Sequence, residues 1–181
     1  MHEALALQER IFPSENPDVA WTKANLAIVL ADRGKNAEAE TLFRETLEAR
    51  RKLLGPQHPE VAQSLTGLGS VLTEEGLAAP AESLLREALE ILRKAAGQED
   101  PDFAETESTL AACLVQLHRY AEAESLLQKS YPILRSKRSD RYPGTQQARR
   151  HFTELYDGWG KPEKAAPYRD RAAVVAVTGC R

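Results

Sequence analysis

Aromatic side chains are scarce in this chain, at 6% of 181 residues, so an aromatic outside the core stands out as a binding anchor. Cysteine is nearly absent. Cys113 and Cys180 alone give neither a disulfide framework nor metal-ligand spacing. A reducing, cytoplasmic setting is the corresponding expectation. No apolar run approaches the roughly 18 residues needed to cross a membrane. The opening Met1-His2-Glu3-Ala4-Leu5 lacks the basic stretch and apolar run of a secretory signal. Positive charge is also not in excess. With 24 Lys and Arg against 27 Asp and Glu, the net charge of −3 excludes a general polyanion binder.

What is present is a repeat. Pro17, Pro59, Pro101 and Pro143 stand 42 residues apart, and other columns follow the same step. Leu26, Leu68, Leu110 and Phe152 align, as do Leu30, Leu72, Leu114 and Tyr156. Ala39, Ala81, Ala123 and Ala165 form an unbroken column; Gly34, Gly76 and Gly160 form one broken by His118. Glu3-Ala4-Leu5 sits one period before Glu45-Thr46-Leu47, so Met1 falls in the middle of a unit. The chain is read as a fragment, or as a protein beginning with an orphan helix. The units are a trailing half-repeat at 1–16, repeats at 17–58, 59–100 and 101–142, and a capping repeat at 143–181, together one repeat domain.

Within a unit the apolar spacing is helical. Val19, Leu26, Val29 and Leu30 precede a glycine, and Ala39, Leu42, Phe43, Leu47 and Arg50 follow it. This predicts two helices per unit, A and B. The A helices are placed near 18–33, 60–75, 102–117 and 144–158. The B helices are placed near 36–54, 78–96, 120–137 and 162–176, with a leading B-type helix at about 3–12. Asn16-Pro17 and Asp100-Pro101 read as N-cap followed by a first-turn proline. Gly55 and Gly97 read as left-handed helix ends. Small residues at 27, 69 and 111 and in the alanine column mark where A and B cross closely. Gly67 and Gly69 should soften their helix, at about 1 kcal/mol each. Pro132 and Pro167 should kink or shorten theirs. One pair cannot bury its own apolar face, so stacking supplies the core.

The pattern resembles the tetratricopeptide repeat in its long, 42-residue form, as in kinesin light chains. The match rests on Leu26-Ala27, Leu30, Gly34, Ala39, Phe43 and Gly55-Pro56-Gln57-His58-Pro59, and extends from about residue 3 to about 176. The resemblance implies an all-α, right-handed solenoid of stacked antiparallel helix pairs. The linker degenerates to Ser139-Asp140-Arg141-Tyr142-Pro143 before the last unit. Leu155-Tyr156-Asp157-Gly158-Trp159-Gly160-Lys161-Pro162-Glu163-Lys164-Ala165 resembles the end of repeat arrays that follow kinase domains in bacterial serine/threonine protein kinases. No kinase residue lies in this chain.

Catalytic motifs are missing. There is no His-Glu-x-x-His, Cys-x-x-Cys, Gly-x-x-x-x-Gly-Lys or Gly-x-Ser-x-Gly. His2, His58, His118 and His151 fall at unrelated repeat positions, and His58 is read as a cap for the next helix. Gly67-Leu68-Gly69-Ser70 lies mid-helix rather than in a phosphate loop, and Cys113 sits in a core column. An enzyme is therefore not expected, and no cofactor or metal is implied.

In the resembled family the A helices line a concave groove that binds peptides. The register carries that groove to Trp21, Asn25, Ile28 and Asp32 in the first unit, and to Gln63, Thr66, Ser70 and Glu74 in the second. In the third it falls on Glu105, Ser108 and Thr109, and in the last on Gln147, Arg150, His151 and Glu154. Asn25, Ser108 and Arg150 are expected to contribute polar contacts. No basic groove residue precedes Arg150, which argues against a clamp for a terminal carboxylate. A polar or basic extended segment suits such a groove. Trp21 has two readings, as an anchor or as packing against the unit before it.

The favoured partner is a protein or peptide, with no membrane. The cations at Arg135, Lys137, Arg138, Arg141, Arg149 and Arg150 invite a nucleic-acid reading, but several end a B helix, where cations suit the dipole, and no stacking array accompanies them. Nucleic acid is therefore not expected. The alternative function is a regulatory or self-associating C-terminal region of a bacterial kinase. The half unit supports it, because Leu5, Ile11 and Phe12 offer an open end to a second copy.

Overall fold

A computed structural model describes residues 16–169. Among these residues the helices are α1 (Pro17–Asp32), α2 (Asn36–Leu54), α3 (Pro59–Glu74), α4 (Ala78–Ala95), α5 (Pro101–Gln116), α6 (Tyr120–Arg138), α7 (Pro143–Gly158) and the short α8 (Pro162–Ala165), then a 3-10 turn at Ala166–Tyr168. No strand occurs among the described residues. The fold is all-α, built from antiparallel helix pairs of the solenoid class. The expected leading helix at 3–12, with Leu5, Ile11 and Phe12, lies outside the described residues, as does Cys180.

Sequence explains where the helices start. Asn16 takes extended dihedrals and its side-chain oxygen accepts from the Asp18 amide at 2.8 Å, with Pro17 supplying a first-turn residue that needs no donor. Asp100 does the same for the amides of Asp102 at 2.8 Å and Phe103 at 3.3 Å. His58 caps α3 through Nδ1, which accepts from the Glu60 amide at 3.2 Å. Tyr142, before Pro143, provides no side-chain cap.

The turns within the pairs share one backbone. The amides of Lys35, Leu77, Arg119 and Lys161 donate to the carbonyls of Leu30, Leu72, Leu114 and Tyr156 at 2.8–2.9 Å, the wide bond of a Schellman ending. That ending needs a left-handed residue. Gly34, Gly76 and Gly160 supply it, and His118 adopts it at φ 57° despite its Cβ. Between pairs the same holds: Gly55 has φ 84° and ψ 157°, and Ser139 is forced to φ 89° and ψ 162°, a region essentially reserved for glycine. The backbone period thus continues where the residue column breaks.

Two compact units divide the chain between Gln98 and Glu99. In the first, α1 packs on α2, α2 on α3 and α3 on α4. Val19, Leu26, Phe43, Leu65, Leu68, Leu85 and Ile91 fill its interior. In the second, α5 packs on α6 and α7, with α8 and the 3-10 turn closing on α7. Leu110, Leu114, Leu127, Leu134, Phe152 and Leu155 fill it. Each such side chain contributes roughly 1.5–3 kcal/mol on burial.

The small-residue columns mark the crossings. Ala27, Ala39, Ala81, Ala111, Ala123 and Ala165 are fully buried. A Cβ on Gly69 would come within 2.7 Å of Leu85 Cγ, and one on Gly67 would overlap the Phe43 ring. These glycines, expected to weaken α3, admit neighbouring side chains to its surface.

Two expectations need correction. Pro132 does not shorten its helix: α6 runs for 19 residues through it. The ring is exposed, and only the bond to the Gln128 carbonyl is forgone. The last B helix does not run on from 162 as expected. Its α-helical part stops at Ala165, where Pro167 has no amide to continue the ladder, and a 3-10 turn follows.

Ser139→Gly should raise the thermal midpoint by a few degrees. Relief of a backbone strain of about 1–3 kcal/mol outweighs the greater entropy of glycine in the unfolded chain. Gly69→Ala should lower the midpoint by about 1–3 kcal/mol equivalent despite alanine's better helix propensity, because the Leu85 branch cannot recede. Thermal denaturation of both variants checks these signs.

Candidate functional site

Each unit has an A-helix face of its own, built from α1 and α3 in the first and from α5 and α7 in the second. In the first unit it is open. Trp21 is 63% exposed and Ile28 is 50% exposed, two turns apart on one stripe of α1. Asn25 lies between them, half-buried, and Asp32 ends the stripe exposed. On α3, Gln63 is exposed, while Thr66 and Ser70 are half-buried. The Thr66 hydroxyl donates to the Ala62 carbonyl at 2.9 Å.

A comparison of α1 with α3 separates the two readings of Trp21. Ser64, Leu65, Val71 and Thr73 are buried on α3, whereas their counterparts one period earlier, Thr22, Lys23, Val29 and Ala31, are only half-buried on α1. That is the face on which a preceding helix, α2, covers α3. Gln63 and Ser70, the counterparts of Trp21 and Ile28, are not fully covered even with α2 in place. Trp21 and Ile28 therefore occupy the open column rather than the stacking column.

In the second unit much of the corresponding face is occupied from within. Ser108 and His151 are buried, and the Ser108 hydroxyl and His151 Nδ1 share a hydrogen bond of 3.0 Å between α5 and α7. Thr109 is also buried, its hydroxyl donating to the Glu105 carbonyl at 3.0 Å. Glu105 is half-buried and accepts from the Tyr142 hydroxyl at 3.0 Å. Burial pushes its carboxyl above the ordinary value. Gln147 is half-buried, and Arg150 and Glu154 are exposed. Of the polar trio Asn25, Ser108 and Arg150, Ser108 is thus engaged internally.

Beside this network lies Glu107, which the sequence reading passed over. It is 9% exposed, and burial raises its carboxyl to about 7, opposed by Lys129. The signal was available: its column is otherwise Lys23, Leu65 and Arg149, so a carboxyl there stands where the preceding repeat has a fully buried leucine. Burial also lowers His151 to about 4, with Arg150 adding to the fall and Ser108 opposing it. His151 is neutral at pH 7. No cluster of three or more His, Cys, Asp or Glu able to hold a metal occurs among the described residues.

The segment from Leu155 to Tyr168 has a packing account. Leu155 and Tyr156 are buried, and the Tyr156 hydroxyl donates to Glu124 at 2.9 Å. Trp159 stacks on Tyr120 with centroids 5.9 Å apart, and Lys161 Nζ lies 3.1 Å from the centroid of the Trp159 ring. Tyr168 stacks on Phe152 at 4.0 Å.

Sequence profiles of the tetratricopeptide repeat match residues 18–94 and 102–173, and a second such profile matches 72–130. A search of curated proteins returned no match. Among solved structures, BtubC (BKLC) from P. vanneervenii superposes with a TM-score of 0.70 at 18% identity, over 99% of this chain and 72% of that one. Two structures of a putative kinesin light chain from Podosopora anserina with nearly identical repeats superpose at 0.68 and 0.66. Their identities are 22% and 20%, over 99% of this chain and 85% of theirs. At these identities the likeness concerns the fold.

The two buried groups titrate in opposite senses. His151 is depressed from 6.5 to about 4, so the unfolded chain binds its proton more readily, and stability falls as pH drops from 6.5 towards 4. Glu107 is raised from 4.5 to about 7, so its favourable contribution is complete below pH 4.5 and is lost as pH rises to 7. Glu107→Leu, which installs the residue found at Leu65, should raise the thermal midpoint by several degrees at pH 8 and by clearly less at pH 4.5. An equal gain at both pH values would show that burial does not raise this carboxyl.

Proposed function

The chain belongs to the tetratricopeptide-repeat family, and from that premise we propose that it is a protein–protein interaction scaffold that receives an extended segment of a partner on its A-helix face. Members of this family generally mediate protein–protein contacts and are typically not enzymes. The observation that carries the reading is the pair Trp21 and Ile28. They are the two most exposed of the large apolar side chains among the described residues, and they share one stripe of α1. Keeping such groups in water is unfavourable unless a partner removes them. The polar neighbours Asn25, Gln63, Thr66 and Ser70 supply donors and acceptors for a bound backbone. Glu105, Gln147, Arg150 and Glu154 form a second, more polar stretch. No cofactor enters this reading.

A second reading makes the array a regulatory, self-associating tail of a bacterial serine/threonine protein kinase. It rests on the wording of residues 155–166. In that reading a self-associating array is a dimer or larger at micromolar concentration, whereas the scaffold reading requires only a monomer with an occupied face.

The scaffold reading is tested with random twelve-residue peptides displayed on phage and selected on the 181-residue protein. Recovered peptides should lose at least tenfold in affinity on Trp21→Ala or Ile28→Ser, with unchanged circular dichroism. Arg93→Ala, on the exposed side of α4, should leave binding unchanged. Peptides that bind equally well to all three variants would remove the A-helix face as the docking site.

A further inference from the structure

α1 and α3 present the open face of the first unit together. In the 42-residue register, residues 21, 25, 28 and 32 of α1 correspond to 63, 67, 70 and 74 of α3, and the two helices touch, giving rows in which the side chains change character. The first row pairs Trp21 with Gln63, and the third pairs Ile28 with Ser70. Between them the row of Asn25 and Gly67 has no side chain on α3, because the Phe43 ring lies where a Gly67 Cβ would stand. Phe43 is itself buried, so its ring fills the space that a side chain on Gly67 would need. The last row holds Asp32 and Glu74, both exposed and acidic.

Positive charge is absent from these rows. The nearest lysine on α1, Lys23, is turned away and donates to Glu45 at 2.7 Å, with only 13% of its side chain exposed. No ion pair engages Asp32 among the described residues. The stripe is therefore apolar along two turns and negative at its end. The amide of Asn25 sits in the middle, able to donate and accept at once.

We infer that this stripe selects an extended partner segment carrying a large apolar side chain and, two to five residues away, a lysine or arginine. The inference rests on the scaffold reading above and names the chemistry of its ligand. The apolar side chain lies across Trp21 and Ile28 beside Gly67, the segment's backbone pairs with the Asn25 amide, and the cation reaches Asp32. The spacing follows from helix and strand rises. Asp32 lies about 6 Å along the helix from Ile28 and about 16 Å from Trp21. An extended chain advances about 3.3 Å per residue, which sets the two-to-five window. The charge sign distinguishes this ligand from an acidic segment, which Asp32 would repel.

The experiment takes the phage-selected twelve-residue peptides whose capture by the full-length protein is lost on Trp21→Ala, and sequences them. A majority should carry an aromatic or branched aliphatic residue two to five positions from Lys or Arg. One such synthetic peptide, fluorescein-labelled, should bind about three- to fivefold more weakly to Asp32→Asn and more weakly in high salt, while Ile28→Ser costs tenfold or more. Asp32 is exposed at the end of α1, so this variant folds normally and its thermal midpoint verifies that. Trp21-dependent peptides that are acidic, or whose affinity is unmoved by Asp32→Asn and by salt, overturn the inference and leave the scaffold reading standing. Recovery of no Trp21-dependent peptide overturns both.

Discussion

Close crossing of paired helices at side chains no larger than a methyl group is the contact on which the remaining structure depends. Ala39, Ala81, Ala123 and Ala165 are fully buried, and Gly69 leaves no room for even one carbon before Leu85. At such a separation, leucine and phenylalanine side chains from both helices reach past the crossing and fill the space beside it. The short turns follow from the same constraint. A pair held this close must reverse within a few residues, and a Schellman ending with one left-handed residue does so. Backbone demand outranks residue preference here, which is why His118 and Ser139 take dihedrals that suit glycine.

Once the apolar columns close the core, the informative positions are those where a column is broken by a polar group. Arg50 stands where later repeats carry Leu92 and Leu134. It is 4% exposed, and its guanidinium donates to the Glu60 carbonyl and to Ser64 Oγ, both at 2.9 Å. Its Nη2 also lies 3.2 Å from the Glu60 carboxylate. Burial lowers its affinity for a proton and Glu60 restores part of it. These bonds tie the end of α2 to the start of α3. In the second unit burial shifts Glu107 and His151 towards their neutral forms: the carboxyl rises to about 7, with Lys129 opposing, and the imidazole falls to about 4.

The same distinction separates the two A-helix faces. On α5 and α7 the hydroxyls, the imidazole and the carboxyl of Glu105 find partners within the unit, and the aromatic cluster of Phe152, Tyr156 and Tyr168 closes it. On α1 Trp21 stands at the position of Glu105 and Asn25 at that of Thr109 and His151, and Trp21 and Ile28 remain in solvent. A face that satisfies its own groups gains stability and loses capacity to bind, whereas a face that leaves apolar area exposed has it available for a ligand.

Helix order, caps and most boundaries were legible in the sequence to within about a residue, because proline, asparagine, aspartate and glycine act through local sterics and hydrogen bonds that any copy of the repeat must share. The burial of the alanine columns and of Cys113 was legible for a related reason: a periodic apolar stripe has one way to face a neighbour. Local rules misjudged Pro132, whose lost bond falls on the solvent side, and Gly67 and Gly69, whose place is set by Phe43 and Leu85 from other helices. The candidate face was legible as a register but not as a surface. Trp21 and Ser108 occupy the same class of position in sequence. Only packing decides that one stands in water and the other meets His151, since that depends on side chains 43 residues away rather than on the helix that carries them.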